Sequence, residues 1–156
     1  RILLEHEPRP RLIVVMVQKE VAERVCAKPG DMSLLSLAVQ WFGEPEIVRV
    51  VPPESFNPAP NVESAILRIR VNSEEQTCLP ARQVEKDAAL EKRVFQLARI
   101  GFASRRKQLH NQLAAGLHIS STEVQQILRS VGVSEKARAQ ELSLEQWRAV
   151  TQNLLM

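Results

Sequence analysis

Arg105-Arg106-Lys107 is the densest run of positive charge in the sequence. Arg can meet a phosphate with two donors and Lys adds a compact point charge, so such a run suits a polyanion. Its surroundings sharpen the signal. Between Lys92 and Thr122 there is no Asp or Glu, and that stretch holds six of the chain's 21 Lys and Arg. The remainder carries 15 bases against 18 acids, so a mildly acidic protein bears one concentrated basic segment. A local positive field of this kind draws nucleic-acid phosphate. The plain alternative is a helix face charged for solubility. Phe56 is the second candidate. Aromatic residues make up 4% of the chain, there is no Tyr, and this Phe stands among Pro53, Pro58 and Pro60. Proline restricts φ and pre-orders the loop, which suits a ring that stacks on a flat ligand such as a base. The bland reading is that the ring plugs the edge of a sheet, since most Phe are core residues.

Other chemistries find little support. His6, His110 and His118 are scattered without Cys or carboxylate at ligand spacing, so they read as ordinary surface histidines and no metal is expected. Cys26 and Cys78 form neither a disulfide framework nor a zinc pattern; Cys26 reads as a small core residue in a helix, and the chain as one for a reducing, cytoplasmic setting. The five glycines, Gly30, Gly43, Gly101, Gly116 and Gly132, lie far apart, so a glycine-rich phosphate loop is not expected. The longest apolar run, Leu12 to Val17, is too short to span a bilayer. The first ten residues, charged and proline-bearing, lack the make-up of a secretory signal.

The 156 residues are 44% hydrophobic and 25% charged, which is ordinary globular composition. Leu12 to Val17 predicts a strand buried on both faces, of the kind found in parallel sheets. Gln18 to Ala27 predicts a helix with Val21, Ala22 and Val25 on one face, closed by Lys28-Pro29-Gly30-Asp31. A second helix is expected over 33–42 and a β-branched strand over 46–51, stopped by Pro52-Pro53. Ala65, Leu67, Ile69 and Val71 alternate with Ile66, Arg68 and Arg70, which predicts a strand with one face to the core. Beyond the polar stretch after Asn72 everything reads as helix. Leu90, Val94, Leu97, Ala98, Gly101, Phe102, Leu109 and Leu113 keep helical spacing, with Arg105 and Arg106 flanking that stripe and Lys107 pointing away. Ser120 with Glu123, and Ser143 with Gln146, are capping-box patterns. The expected architecture is α/β: the last part of a mixed sheet, then a domain of about four helices.

Three segments together resemble one family. They are Met16-Val17-Gln18-Lys19-Glu20-Val21-Ala22-Glu23-Arg24-Val25, the proline-rich loop from Val51-Pro52-Pro53 through Phe56-Asn57-Pro58-Ala59-Pro60 to Ser64-Ala65, and Phe102-Ala103-Ser104-Arg105-Arg106-Lys107-Gln108-Leu109-His110-Asn111-Gln112-Leu113. The turn Arg138-Ala139-Gln140-Glu141-Leu142-Ser143 fits as well. The chain is similar, over nearly its whole length, to the ribosomal RNA adenine dimethyltransferases, most of all their small-subunit (16S) members.

That resemblance implies transfer of methyl groups from S-adenosylmethionine to two adjacent adenines in the 3′-terminal hairpin of 16S rRNA. It implies the C-terminal part of a Rossmann-like methyltransferase domain over 1–72, a linker over 73–82 and a helical rRNA-binding domain over 83–156. The cofactor loop and the Asn-Leu-Pro-Tyr motif lie upstream of the matched part. The chain would then hold no S-adenosylmethionine site and be inactive alone. By position, Phe56 matches the residue lining the target-adenine pocket. Arg105, Arg106 and Lys107 match a helix gripping rRNA phosphates, Arg138 a basic position after it, and Lys19 and Arg24 a helix beside the sheet whose role is structural or RNA-facing. Asn61 stands where the family often has Lys, Glu63 replaces the usual Asp, and Met32-Ser33-Leu34 replaces a common Tyr-Gly-Arg. The expected partner is small-subunit precursor rRNA, with no membrane, no metal and a monomeric state. Two alternatives remain: a non-catalytic RNA- or DNA-binding relative, and a large-subunit, macrolide-resistance-type methyltransferase.

Overall fold

The computed structural model describes residues 10–72 and 81–154, with side chains from 88 onward in the second stretch. Two compact units result. One comprises 10–27 and 35–72, the other 28–34 and 81–154. Most of the expected linker, and Cys78 and His6 with it, lies outside the described residues.

In the first unit, β1 (Leu12–Gln18) runs directly into α1 (Lys19–Val25), and α2 (Leu34–Phe42) runs directly into β2 (Gly43–Val51). β3 (Ser64–Val71) is the central strand of a sheet ordered β1-β3-β2. Both pairings are antiparallel, with Val15 and Ile47 flanking Leu67 from either side. Val48 is an extra residue between Ile47 and Arg49, a bulge in β2. Gly43 is required where α2 meets β2, because a Cβ there would collide with the Arg70 carbonyl oxygen of the neighbouring strand.

The core of this unit is one face of the sheet. Ala65, Leu67 and Ile69 are buried with Ala22 and Val25 of α1, and Ile13, Val15, Val17, Cys26, Val39 and Ile47 pack around them. The alternation expected for β3 is therefore present. Gln40 ties the two helices together by donating to the carbonyls of Val25 and Ala27 at 2.7 and 2.9 Å, which satisfies carbonyls that the end of α1 leaves free.

β1 departs from expectation. It is antiparallel to β3, not parallel, and Leu12, Val14 and Met16 are 52, 57 and 55% exposed. Those residues stand opposite Arg70, Arg68 and Ile66, and Arg68 in turn reaches Glu46 across β3 and β2 at 2.6 Å. An unbroken apolar run conceals which alternate residues meet the core, so its two faces looked equivalent in the sequence.

The second unit is helical: α3 (Ala81–Gly101), α4 (Leu109–Leu117), α5 (Ser121–Ser130) and α6 (Leu144–Asn153), with a 3₁₀ turn at Ala139–Glu141. Val94, Leu97 and Ala98 are buried with Leu109, Leu113, Val124, Leu128, Trp147 and Val150. The Ser143 capping box is complete: Gln146 N–H donates to Ser143 Oγ at 3.2 Å and Ser143 N–H to Gln146 Oε1 at 2.9 Å. Ser120 caps α5 by accepting from Thr122 N–H at 3.2 Å. The segment 28–34 joins this unit through Gly30 and Met32, whose N–H groups both donate to the Gln140 carbonyl, and Met32 is buried. The segment 28–34 thus groups with the helices, although it precedes α2 in sequence.

Candidate nucleic-acid interface

The basic triplet lies on a turn, not on a helix. α3 ends at Gly101 and α4 starts only at Leu109. A Cβ on Gly101 would meet both Leu109 Cδ1 and Trp147 Cη2 at 2.8 Å, so the chain is drawn tight against the core at this point and turns away from it. Lys107 N–H donates to the Ser104 carbonyl at 3.3 Å, which closes a four-residue turn around Arg105 and Arg106. Gln112, itself buried, donates its side-chain amide to the same carbonyl. The three cations therefore project from an anchored turn and are exposed.

Arg138 joins them. Leu109 N–H donates to the Ala137 carbonyl at 2.9 Å, which sets the segment leaving the basic turn beside the one carrying Lys136 and Arg138. Both of these are exposed too. Among the described residues none of these five cations is held in an ion pair.

Lys19 and Arg24 differ. Lys19 Nζ lies 2.7 Å from Glu63 Oε2, and its backbone N–H donates to the Glu63 carbonyl at 3.0 Å. The hydrogen bond and charge of Glu63 hold the Lys19 ammonium above its usual range. Arg24 pairs with Glu20 one helical turn away at 2.6 Å. Both cations are neutralised locally within the first unit.

Phe56 sits in the excursion between β2 and β3, which the Val51–Ser64 strand pair closes. A 3₁₀ turn over Pro53–Ser55 begins the loop, and Phe56 N–H donates to the Pro53 carbonyl at 3.1 Å. The ring is half-buried. Lys19 grips the far base of this loop through both contacts with Glu63, so the loop is pinned at each end. The Glu63 that replaces Asp retains the carboxylate for that grip.

Two readings of single residues change. His110 is buried at 7% exposure, not a surface histidine, whereas His118 is exposed and ends α4 in the left-handed conformation with φ +57°. Cys26 follows the last residue of α1 and is half-buried against the sheet, where burial pushes its thiol above the usual range and away from thiolate chemistry. Among the described residues no three His, Cys, Asp or Glu gather as a metal ion requires, and no helix is long and apolar enough to cross a membrane.

Gln112 and Glu63 were not singled out as functional in the sequence. Gln112 had a signal, a polar residue between the buried Leu109 and Leu113. Lys136 had none, because its place beside the basic turn depends on a hydrogen bond between segments some thirty residues apart.

The family described as ribosomal RNA adenine dimethylase matches residues 1–154. The chain belongs to the ribosomal RNA adenine dimethylase family. Among curated relatives, Ribosomal RNA small subunit methyltransferase A of Dehalococcoides mccartyi is 43% identical over 148 residues, covering 95% of this chain and 48% of that protein. The same-named protein of Desulfitobacterium hafniense is 40% identical over 154 residues, covering 97% and 52%. The chain thus spans about half the length of the curated relatives it matches. Its fold is that of a dimethyladenosine transferase from Plasmodium falciparum, at TM-score 0.70 and 24% identity, covering 95% of this chain and 59% of the other. The 23S rRNA methyltransferase ErmE shares the fold at TM-score 0.66 and 24% identity, covering 99% and 58%.

Proposed function

We propose that this chain is part of an S-adenosylmethionine-dependent adenine N6,N6-dimethyltransferase that modifies two adjacent adenines in the 3′-terminal hairpin of 16S rRNA during small-subunit assembly. The observation that carries the reading is the family match over 1–154 together with close relatives of the small-subunit type. The protein works as a cytoplasmic monomer. The chain's own part is to bind and position RNA. The exposed turn at Arg105, Arg106 and Lys107, with Arg138 beside it, takes backbone phosphates. The pinned loop presents Phe56 to an extruded adenine, whose π-face stacks on the ring while its amine awaits methylation. Holding the base in place supplies much of the rate in such a transfer.

The described residues do not fit the methyl donor. Gly30 and Gly132, the two glycines with positive φ, close separate turns and make no joint cradle. On this reading S-adenosylmethionine binds to sequence outside this chain, and the chain alone is inactive.

The test uses the full-length protein, radiolabelled S-adenosylmethionine and under-methylated small ribosomal subunits. Dimethyladenosine in the 3′-terminal hairpin is expected, with none from this chain alone. Unlabelled small subunits, with label appearing on large-subunit rRNA in a parallel reaction, would overturn the assignment to the small subunit.

A further inference from the structure

A cavity of about 330 Å³ opens at the start of α4, lined by Gln108, His110, Gln125, Ser134, Glu135 and Lys136. It follows the basic turn without a gap, because Gln108 is the residue after Lys107 and consecutive Cα atoms lie about 3.8 Å apart. Lys136 flanks it on the other side, on the segment joined to α4 by the Leu109–Ala137 hydrogen bond.

The lining is polar, and its polar atoms divide into used and unused. His110 is saturated by the protein. Its Nε2 lies 2.8 Å from Gln108 Oε1 and its Nδ1 lies 2.7 Å from the Ser121 hydroxyl, so both ring nitrogens have partners within the protein. The buried imidazole is a fixed wall that holds Gln108 in place. Glu135 is paired with Arg129 across the rim. Among the described residues the Gln108 amide nitrogen, the Gln125 amide oxygen and the Lys136 ammonium make no hydrogen bond or ion pair, although the Lys136 charge acts on the neighbouring Glu135. The site thus offers one amide donor, one amide acceptor and a cation.

We propose that this cavity receives one unstacked base of single-stranded RNA whose phosphates lie on the Arg105-Arg106-Lys107 turn. The inference rests on the RNA-binding reading above and adds a base-reading subsite to it. A base edge carries a donor beside an acceptor, which a free amide N–H and a free amide C=O can both meet. A bare phosphate fits worse. Arg129 keeps the Glu135 carboxyl ionised, so an anion entering the cavity would meet that carboxylate as well as the Lys136 ammonium, whereas a neutral base edge meets no such repulsion. Phosphate belongs on the turn and the base inside.

The test uses the full-length protein and two probes of equal charge: a random-sequence pool of RNA octanucleotides and an octamer of abasic ribose phosphate. Gln125→Leu removes both amide functions at similar volume, and loses only a 3.4 Å contact with His110 Nδ1. The pool is expected to bind more tightly than the abasic chain, and Gln125→Leu to shrink that preference by about threefold to tenfold, with the slope of affinity against salt unchanged. Lys136→Met is expected to shrink it in the same direction. The His110 ring resonances should move with the pool and stay put with the abasic chain. An unchanged preference in Gln125→Leu, or His110 resonances that ignore the pool, would overturn the base subsite and leave the RNA-binding reading standing. A salt-independent affinity in the unmodified protein would overturn both.

Discussion

Replacing Arg105, Arg106 and Lys107 together by Ala removes three exposed cations that no carboxylate neutralises among the described residues. Each such cation on a phosphate displaces counterions, so each contact contributes about 0.7 to the salt slope on single strands and about 0.9 on duplex. Three contacts amount to a slope of about 2 to 2.7. Between 50 and 200 mM salt, a fourfold rise, the unmodified turn would lose about 20- to 40-fold in affinity that the triple variant would not lose. The variant should therefore bind weakly at low salt and respond more gently to added salt. Titrating small-subunit rRNA against the full-length protein by fluorescence anisotropy at four salt concentrations gives both slopes. The fold should survive, since the turn is held by the Lys107 amide and the Gln112 side chain, neither of which the substitutions remove. Equal slopes for the two proteins would refute the assignment of phosphate to this turn. A smaller change, near one contact, would mean that only one of the three cations touches the backbone.

Four further outcomes are expected. Phe56→Ala in the full-length protein should lower methyl transfer far more than rRNA affinity; equal losses in both would count against stacking. Lys19→Met should reduce kcat by about two- to fivefold with the salt slope intact, and Lys19→Glu with Glu63→Lys should recover part of it; a flatter salt slope would instead return Lys19 to the RNA surface. Arg68 and Arg129 hold the carboxyls of Glu46 and Glu135 below the usual value. Their folded state binds fewer protons than the unfolded one, so the stability they add is present above that usual value and drains as pH falls through the depressed one; thermal unfolding followed from neutral pH to pH 3 should show Glu135→Gln with the shallower acid decline. Gly43→Ala should cost about 1–3 kcal/mol in urea unfolding, because the added Cβ meets a backbone carbonyl of β3 that cannot swing aside.

How much of this was legible in the sequence depended on how local its cause was. The alternation of β3, the helices flanking it and the Ser143 capping box all follow from neighbours within a few residues, and all are present. The basic triplet was placed on a helix because Phe102, Leu109 and Leu113 keep helical spacing across it. Spacing alone cannot report that α3 stops where Gly101 meets Leu109 and Trp147 side by side. His110 looked like a surface residue because its burial is arranged by Gln108 and Ser121, whose side chains say nothing about it in sequence. The grouping of 28–34 with the helices rests on Gln140, more than a hundred residues away.

The sequence nominated six cations, with Lys19 and Arg24 left as structural or RNA-facing, and their pairing separates them. Arg24 stands four residues after Glu20 on one helix, an arrangement that could be read directly. Lys19 meets Glu63 across 44 positions, which could not. A paired cation and carboxylate present a dipole, whose field falls off faster than that of a lone charge and is further screened by salt. Arg105, Arg106, Lys107 and Arg138 keep their full charge, and Lys136, which was not nominated, stands among them. Attraction for a polyanion should therefore concentrate on the turn before α4, while Lys19 acts by fixing the base of the Phe56 loop. The two roles separate by measurement, since losing a phosphate contact changes the salt slope and losing a loop clamp changes kcat.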